Sequence, residues 1–224
     1  MELWSLCLTI VIYLGFQKLK DKYDKTWINP LLLTSVTLIF ILLMTNTEYE
    51  TYNQGVSFIT SLLGPATVAL AIPLYENKDI IVKYSKRIFI SVMSGIVAHG
   101  VSIVILAKLL KLDLEMIATI VPKSVTTAIA KDIAAQYGGL VEITIALVII
   151  TGIFGAVISD FAFKLLKTKS PVSKGLALGV SAHAVGTSKA IEVGEIEATM
   201  STIALILTGL ITVLVAPVIM IILT

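Results

Sequence analysis

Within one apolar run of the chain, Pro122, Lys123, Ser124, Thr126 and Thr127 stand together with only Val125 between them. A cation beside three hydroxyls suits a small anion, because the ammonium neutralises its charge and the hydroxyls donate hydrogen bonds. The proline adds a second element. It removes a backbone donor and interrupts a helix, and an interrupted helix exposes a fresh N-terminus whose unpaired N–H groups attract a carboxylate. A similar set recurs at Ser181, His183, Thr187, Ser188 and Lys189, spaced by Gly179 and Gly186. A small hydroxy- or oxo-carboxylate needs one charge partner and a few donors, and these two segments hold both. Lys123 has a second reading as the partner of a carboxylate such as Asp132 or Glu142. His183, of a residue type that titrates near neutral pH, is expected to add a second positive group, whereas the setting of His99 between Gly95 and Gly100 reads as packing.

Other chemistry is poorly represented. The chain has no HExxH, CxxC, P-loop or dinucleotide-binding glycine pattern. Ser181 and His183 are two apart, so on a helix they point away from each other. No enzyme activity, metal or cofactor is expected, and coupling to H+ or Na+ is left open. A formal charge of +2 excludes a strongly basic nucleic-acid binder. The lone cysteine, Cys7, cannot form an internal disulfide.

The elements that must position these residues are membrane spans. The chain is 57% hydrophobic and 14% charged, with a mean hydropathy of +0.97, against about 25% charged residues in soluble domains. Charge-free runs at Asn29–Thr47, Thr51–Tyr75, Ile88–Ala107 and Ala198–Thr224 approach or exceed the roughly 20 residues that a span needs. Met1–Gln17 lacks a basic start and a small-residue cleavage site, and reads as a first membrane segment. The expectation is an all-α polytopic bundle with internal repeats and broken or re-entrant helices. It forms a single domain over 1–224, with variable N-terminal spans at about 1–46 and a repeat-containing core at about 52–222. A lysine at the centre of such a bundle costs roughly 3 kcal/mol to insert, and therefore marks function.

Eight elements are expected near 2–18, 29–46, 52–75, 86–110, 114–137, 140–166, 174–190 and 195–222. The third, fifth and seventh carry glycine, proline or hydroxyls in their middles; the fourth, sixth and eighth read as ordinary spans. The alternation has a step of 57 residues, which relates Pro65 to Pro122, and Thr67 to Ser124 and Ser181. The same step relates Ser94-Gly95, Thr151-Gly152 and Thr208-Gly209. Repeats with broken segments in corresponding places point to the binding site of a secondary transporter.

Basic residues set the orientation. Lys18, Lys20, Lys22 and Lys25 in the first polar loop put that loop in the cytoplasm by the positive-inside rule, with Lys78, Lys83, Lys86 and Arg87 on the same side. The next cluster, Lys164, Lys167, Lys169 and Lys174, joins them only if one intervening element enters and leaves by one face. The fifth element is the candidate. Glu192, Glu195 and Glu197 read as a solvated segment end.

Three stretches, Leu63–Tyr75, Pro122–Thr127 and Leu176–Ala190, resemble the signature segments of the LrgB/CidB family, and the resemblance covers roughly residues 30–222. Ala128 departs from it, since many members have proline there. The resemblance implies two functional traditions. One is holin-like or antiholin-like control of murein hydrolases and lysis, beside a smaller LrgA/CidA-type membrane partner. The other is transport, with plastid relatives moving glycolate and glycerate and bacterial pairs linked to pyruvate. The expected substrate-binding residues are Pro65, Thr67, Lys123, Ser124, Thr126, Thr127, Ser181, His183, Thr187, Ser188 and Lys189. The expected partners are a small carboxylate, the lipid bilayer of the cell membrane and, by analogy with elevator-type carriers, a second copy of the chain.

Overall fold

The computed structural model describes residues 3–23, 28–69 and 71–223; the side chains of Leu63, Thr67, Pro73, Leu74 and Leu223 fall outside that description. The described residues form helices and no strand. The protein is an all-α membrane protein. Among the described residues, four helices are long and apolar enough to cross a bilayer: α1 (Leu3–Tyr23), α6 (Lys78–Leu110), α9 (Val141–Leu165) and α11 (Glu195–Leu223).

The chain divides into two compact units, Met1–Val68 and Ala69–Thr224. In the first, α1 packs against α2 (Pro30–Met44) and α3 (Tyr49–Ser61). Pro30 opens α2 where its missing N–H costs nothing, and the Asn29 side chain accepts from Leu32 N at 3.1 Å. Thr9 Oγ1 meets Tyr52 OH at 2.8 Å, tying α1 to α3. The third expected element holds α3, α4 (Leu63–Ala69) and α5 (Ala71–Glu76), with residue 70 outside the description.

The second unit is built on α6, α9 and α11. α6 starts at Lys78, earlier than the sequence suggested, because the charged turn Lys78–Arg87 is itself helical. Lys111, in the left-handed region at φ 51°, closes it. The Asp113 carboxylate then caps α7 (Leu114–Ile120) by accepting from Met116 N at 2.8 Å. A 3-10 turn (Val121–Ser124), α8 (Thr127–Gln136) and α10 (Pro171–Val193) complete the unit.

Two apolar clusters show how these pieces are arranged. One joins Ile103 and Ala107 of α6 and Ala216, Ile219 and Met220 of α11 to Ile117, Ala118 and Ile133. The other joins Ile88, Val92 and Ile96 of α6 and Met200, Ile203 and Ala204 of α11 to Val172 and Leu176. So α7 and α8 occupy the C-terminal halves of α6 and α11, and α10 occupies their N-terminal halves. Lipid is as apolar as leucine, so burial there gains little, and cohesion comes from close packing over small residues. Gly175 and Gly179 supply it on α10: a Cβ at Gly175 would lie 2.5 Å from the Glu197 carbonyl oxygen, and one at Gly179 would strike that of Ser201.

Candidate functional site

Both broken elements of the second unit fold back on themselves. After α7 the 3-10 turn gives way to extended backbone at Val125 and Thr126, and α8 begins at Thr127. The chain then returns to its starting level. Leu140 N donates to Thr119 Oγ1 at 2.8 Å, Thr144 Oγ1 donates to the Thr119 carbonyl at 2.9 Å, and a Cβ on Gly139 would lie 2.7 Å from the Ala118 backbone. α7, the turn and α8 thus form a hairpin with its tip at Ser124–Thr126. The fifth element enters and leaves by one face, the condition that puts Lys78–Arg87 and Lys164–Lys174 on one side of the unit.

The second hairpin lies within α10. His183 has φ 40° and ψ −124°, far from helical values. Beyond it, a Cβ on Gly186 would run into the Leu178 carbonyl. Eight residues of continuous helix would hold those positions about 12 Å apart. Both arms also meet Ser201: Gly179 abuts its carbonyl, and Thr187 Oγ1 lies 2.9 Å from its hydroxyl. The glycines on either side, Gly179 and Gly186, serve close approach, and the break falls at His183. A non-glycine residue there costs of the order of 1–3 kcal/mol and persists only where its surroundings impose it.

The two tips meet. On α9, Val148 packs against Val125 of the first tip. About one helical turn later, a Cβ on Gly152 would lie 2.8 Å from His183 Cε1 and 2.9 Å from Val185 Cγ2. On α6, Gly95 abuts Val180 of the second hairpin, while His99 bonds Val121 and Ser124 of the first. On α11, Gly209 abuts Ile129 of α8. The repeated hydroxyl-glycine pairs therefore mark the level at which each long helix receives a hairpin tip. The tips themselves obey the same step, since Thr126 and His183 are 57 residues apart.

This junction is polar and incompletely satisfied. Thr126 Oγ1 and His183 Nε2 are buried without a hydrogen-bond partner, as is Thr208 Oγ1 on α11. His183 is 2% exposed and Thr208 3%. Thr126 caps α8 without a side-chain bond, so the first N–H groups of α8 and of the second arm of α10 start at the tips, each at the positive end of a helix. Lys123, half-buried on the turn, lies within electrostatic range of both His99 and His183. Among the described residues no carboxylate pairs with it, including Asp132 and Glu142.

The sequence candidates separate accordingly. Lys123, Ser124, Thr126, Thr127 and His183 gather at the tips. Thr187 bonds the His183 carbonyl at 3.0 Å and braces the second arm. Lys189 lies 3.4 Å from Asp160 and 3.6 Å from Glu192, away from the junction. Ser181 and Ser188 are exposed and donate to Ala177 and Ala184 carbonyls. Ser181 lines an apolar groove of about 460 Å³ between α9 and α10, with Phe154, Gly155 and Ala177. Pro65 belongs to the first unit, and the side chain of Thr67 lies outside the described residues. Glu197 departs from the solvated reading: it is 7% exposed, beneath Gly175 and Gly194 at the base of the second hairpin.

Comparison with known families agrees with the residue pattern. The profile of the LrgB-like family matches residues 9–222, nearly the whole chain. The chain belongs to the LrgB-like family. It is 39% identical over 189 residues to the antiholin-like protein LrgB of Bacillus subtilis, covering 84% of this chain and 82% of that one. It is 35% identical over 211 residues to the holin-like protein CidB of Staphylococcus epidermidis, covering 94% and 92%. An uncharacterized protein of Bacillus subtilis, YwbG, is 38% identical over 213 residues, covering 95% of each. No solved structure matches the chain. The holin-like and antiholin-like names of these relatives fit the membrane-spanning architecture of the chain.

Proposed function

We propose that this LrgB-like protein is a carrier for small organic monocarboxylates of the pyruvate, glycolate or glycerate type, working by alternating access in the cell membrane. One observation carries the reading: two hairpin tips meet beside an unpaired Lys123 and leave Thr126 Oγ1 and His183 Nε2 buried without partners. Each unpartnered group costs about 1–3 kcal/mol, and an anion bound between the helix N-termini would satisfy them. Irregular backbone at membrane depth is tolerated where it lines a cavity, and broken helices at the midplane are a transporter feature. A homodimer, by analogy with elevator-type carriers, and coupling to H+ or Na+ belong to the same proposal.

The names of the relatives favour a second reading, an oligomeric holin-like or antiholin-like regulator of murein hydrolase activity and lysis, acting with a small LrgA/CidA-type partner. Proteoliposomes separate the two. Saturable uptake of radiolabelled pyruvate or glycolate, with counterflow, supports the carrier. Unselective leakage of a trapped dye supports the pore and refutes it.

A further inference from the structure

His99 contacts the first hairpin tip through both ring nitrogens. Nε2 lies 2.9 Å from the Val121 carbonyl oxygen and Nδ1 lies 3.2 Å from Ser124 Oγ. A carbonyl only accepts, so Nε2 carries the hydrogen. In the neutral ring Nδ1 is then an acceptor, and Ser124 donates its hydroxyl hydrogen to it. That hydrogen is committed to α6, and Ser124 turns only oxygen lone pairs towards the junction. Lone pairs repel a carboxylate. Protonating His99 reverses the bond: Nδ1–H donates to Ser124 Oγ, and the serine hydrogen is released to donate elsewhere. The bond to Val121 is the same in both states, so the tip stays anchored.

We propose that His99 is a proton-operated positioning residue that switches Ser124 from acceptor to donor at the junction, so that one proton and one carboxylate bind together. The inference rests on the monocarboxylate reading and names its coupling ion. The charged group near the ring is Lys123, on the same turn, which also acts on His183 of the opposite tip. Towards this stretch of α6, α10 presents Val180 and α11 presents Ile219, both apolar. Like charges on the ammonium and a protonated imidazole repel. A carboxylate seated on Lys123 cancels that repulsion, and by reciprocity the proton strengthens carboxylate binding. His183, whose buried Nε2 has no hydrogen-bond partner, has no comparable bond through which to pass on a change of charge.

The test uses the full chain in proteoliposomes, with radiolabelled glycolate counterflow at equal pH on both sides, from about pH 5.5 to 7.5. Glycolate stays ionised throughout, since carboxylates titrate near 4, so any pH dependence belongs to the protein. The half-saturating concentration of the unaltered protein should fall with pH, by up to about tenfold per pH unit for one linked proton. In His99→Gln it should not vary with pH, whatever its absolute value. Ser124→Ala, which leaves the His99–Val121 bond intact, should be equally flat although the histidine is present. A purely structural histidine would not produce that second result. Histidine-selective 15N spectra give an independent readout: His99 should hold hydrogen on Nε2 alone near pH 7.5 and gain one on Nδ1 when glycolate is added. A slope that survives in His99→Gln overturns the proposal, as does a slope that survives in Ser124→Ala. Counterflow without pH dependence in the unaltered protein overturns it while the carrier reading stands. Absence of counterflow removes both.

Discussion

The seating of the second hairpin on α9 can be tested with one methyl group. A Cβ at Gly152 would lie 2.8 Å from His183 Cε1, 2.9 Å from Val185 Cγ2 and 3.2 Å from Val185 Cβ. Carbon atoms prefer separations of about 3.5–4.0 Å, so Gly152→Ala demands a retreat of about 0.7–1.2 Å by the histidine ring and the valine together. The ring has little room to retreat, because His183 is buried and held at a positive φ. Overpacking of this kind costs about 1–3 kcal/mol, against a gain below about 1 kcal/mol from replacing glycine in a helix. If the cost falls on the seated tip, its population relative to displaced forms drops by about 5–150-fold. Gly15→Ala is the control: nothing lies within 4 Å of its Cβ, and α1 should gain slightly. Melting in detergent should fall by about 2–4 °C per kcal/mol for Gly152→Ala and not for Gly15→Ala, and glycolate counterflow should fall with it. Equal melting and equal uptake in the two variants would show that the His183 tip does not sit on α9 at Gly152.

Further expectations concern the charges and hydroxyls around the junction. Lys123→Ala should abolish counterflow yet reach the membrane at normal levels, since it relieves an insertion cost of roughly 3 kcal/mol; misinsertion with normal specific activity would make the lysine structural. Thr119→Val should strip Leu140 N of its acceptor and cost about 1–3 kcal/mol, read as protease sensitivity between α8 and α9; unchanged protection refutes the closing of the first hairpin there. Lys189→Ala, which loses both its pairs, and Asp160→Asn, which loses one, should weaken the second arm non-additively, each by about 1 kcal/mol or less; uptake lost only in Lys189→Ala would instead give Lys189 to the substrate. Ser181→Ala and Ser188→Ala should change uptake by less than about twofold, because both hydroxyls are exposed and satisfied by their own helix; a larger loss in either returns it to the binding site.

Much of this architecture was legible in residue order. Rare residues carried it: the proline beside Lys123, the glycine-spaced hydroxyls around His183, and the hydroxyl-glycine pairs repeating every 57 residues. What stayed hidden was set by tertiary contact. Glycine and proline read as helix breakers, yet the breaks fall at Val125–Thr126 and at His183, one or more residues away from each. A histidine at positive φ is imposed by its neighbours and leaves no compositional trace. His99 read as packing because its flanks are apolar and small. Its partners, Val121 and Ser124, lie more than twenty positions along the chain. Glu197 read as solvated for the converse reason, since nothing local shows that Gly175 and Gly194 close over it.

The arrangement on α11 has a consequence for how the chain is made. Gly175 and Gly179 of the second hairpin rest on its first half, and the cluster holding Ile117 and Ile133 of the first hairpin rests on its second. Each hairpin folds back on itself, and each tip carries backbone groups that bare lipid would not satisfy. During synthesis both must wait at the membrane surface, or in the shelter of the insertion machinery, until the last of these helices has been delivered. Topogenesis is then completed by a late folding step, in which two segments translated at different times sink into the bilayer from opposite faces against one common wall.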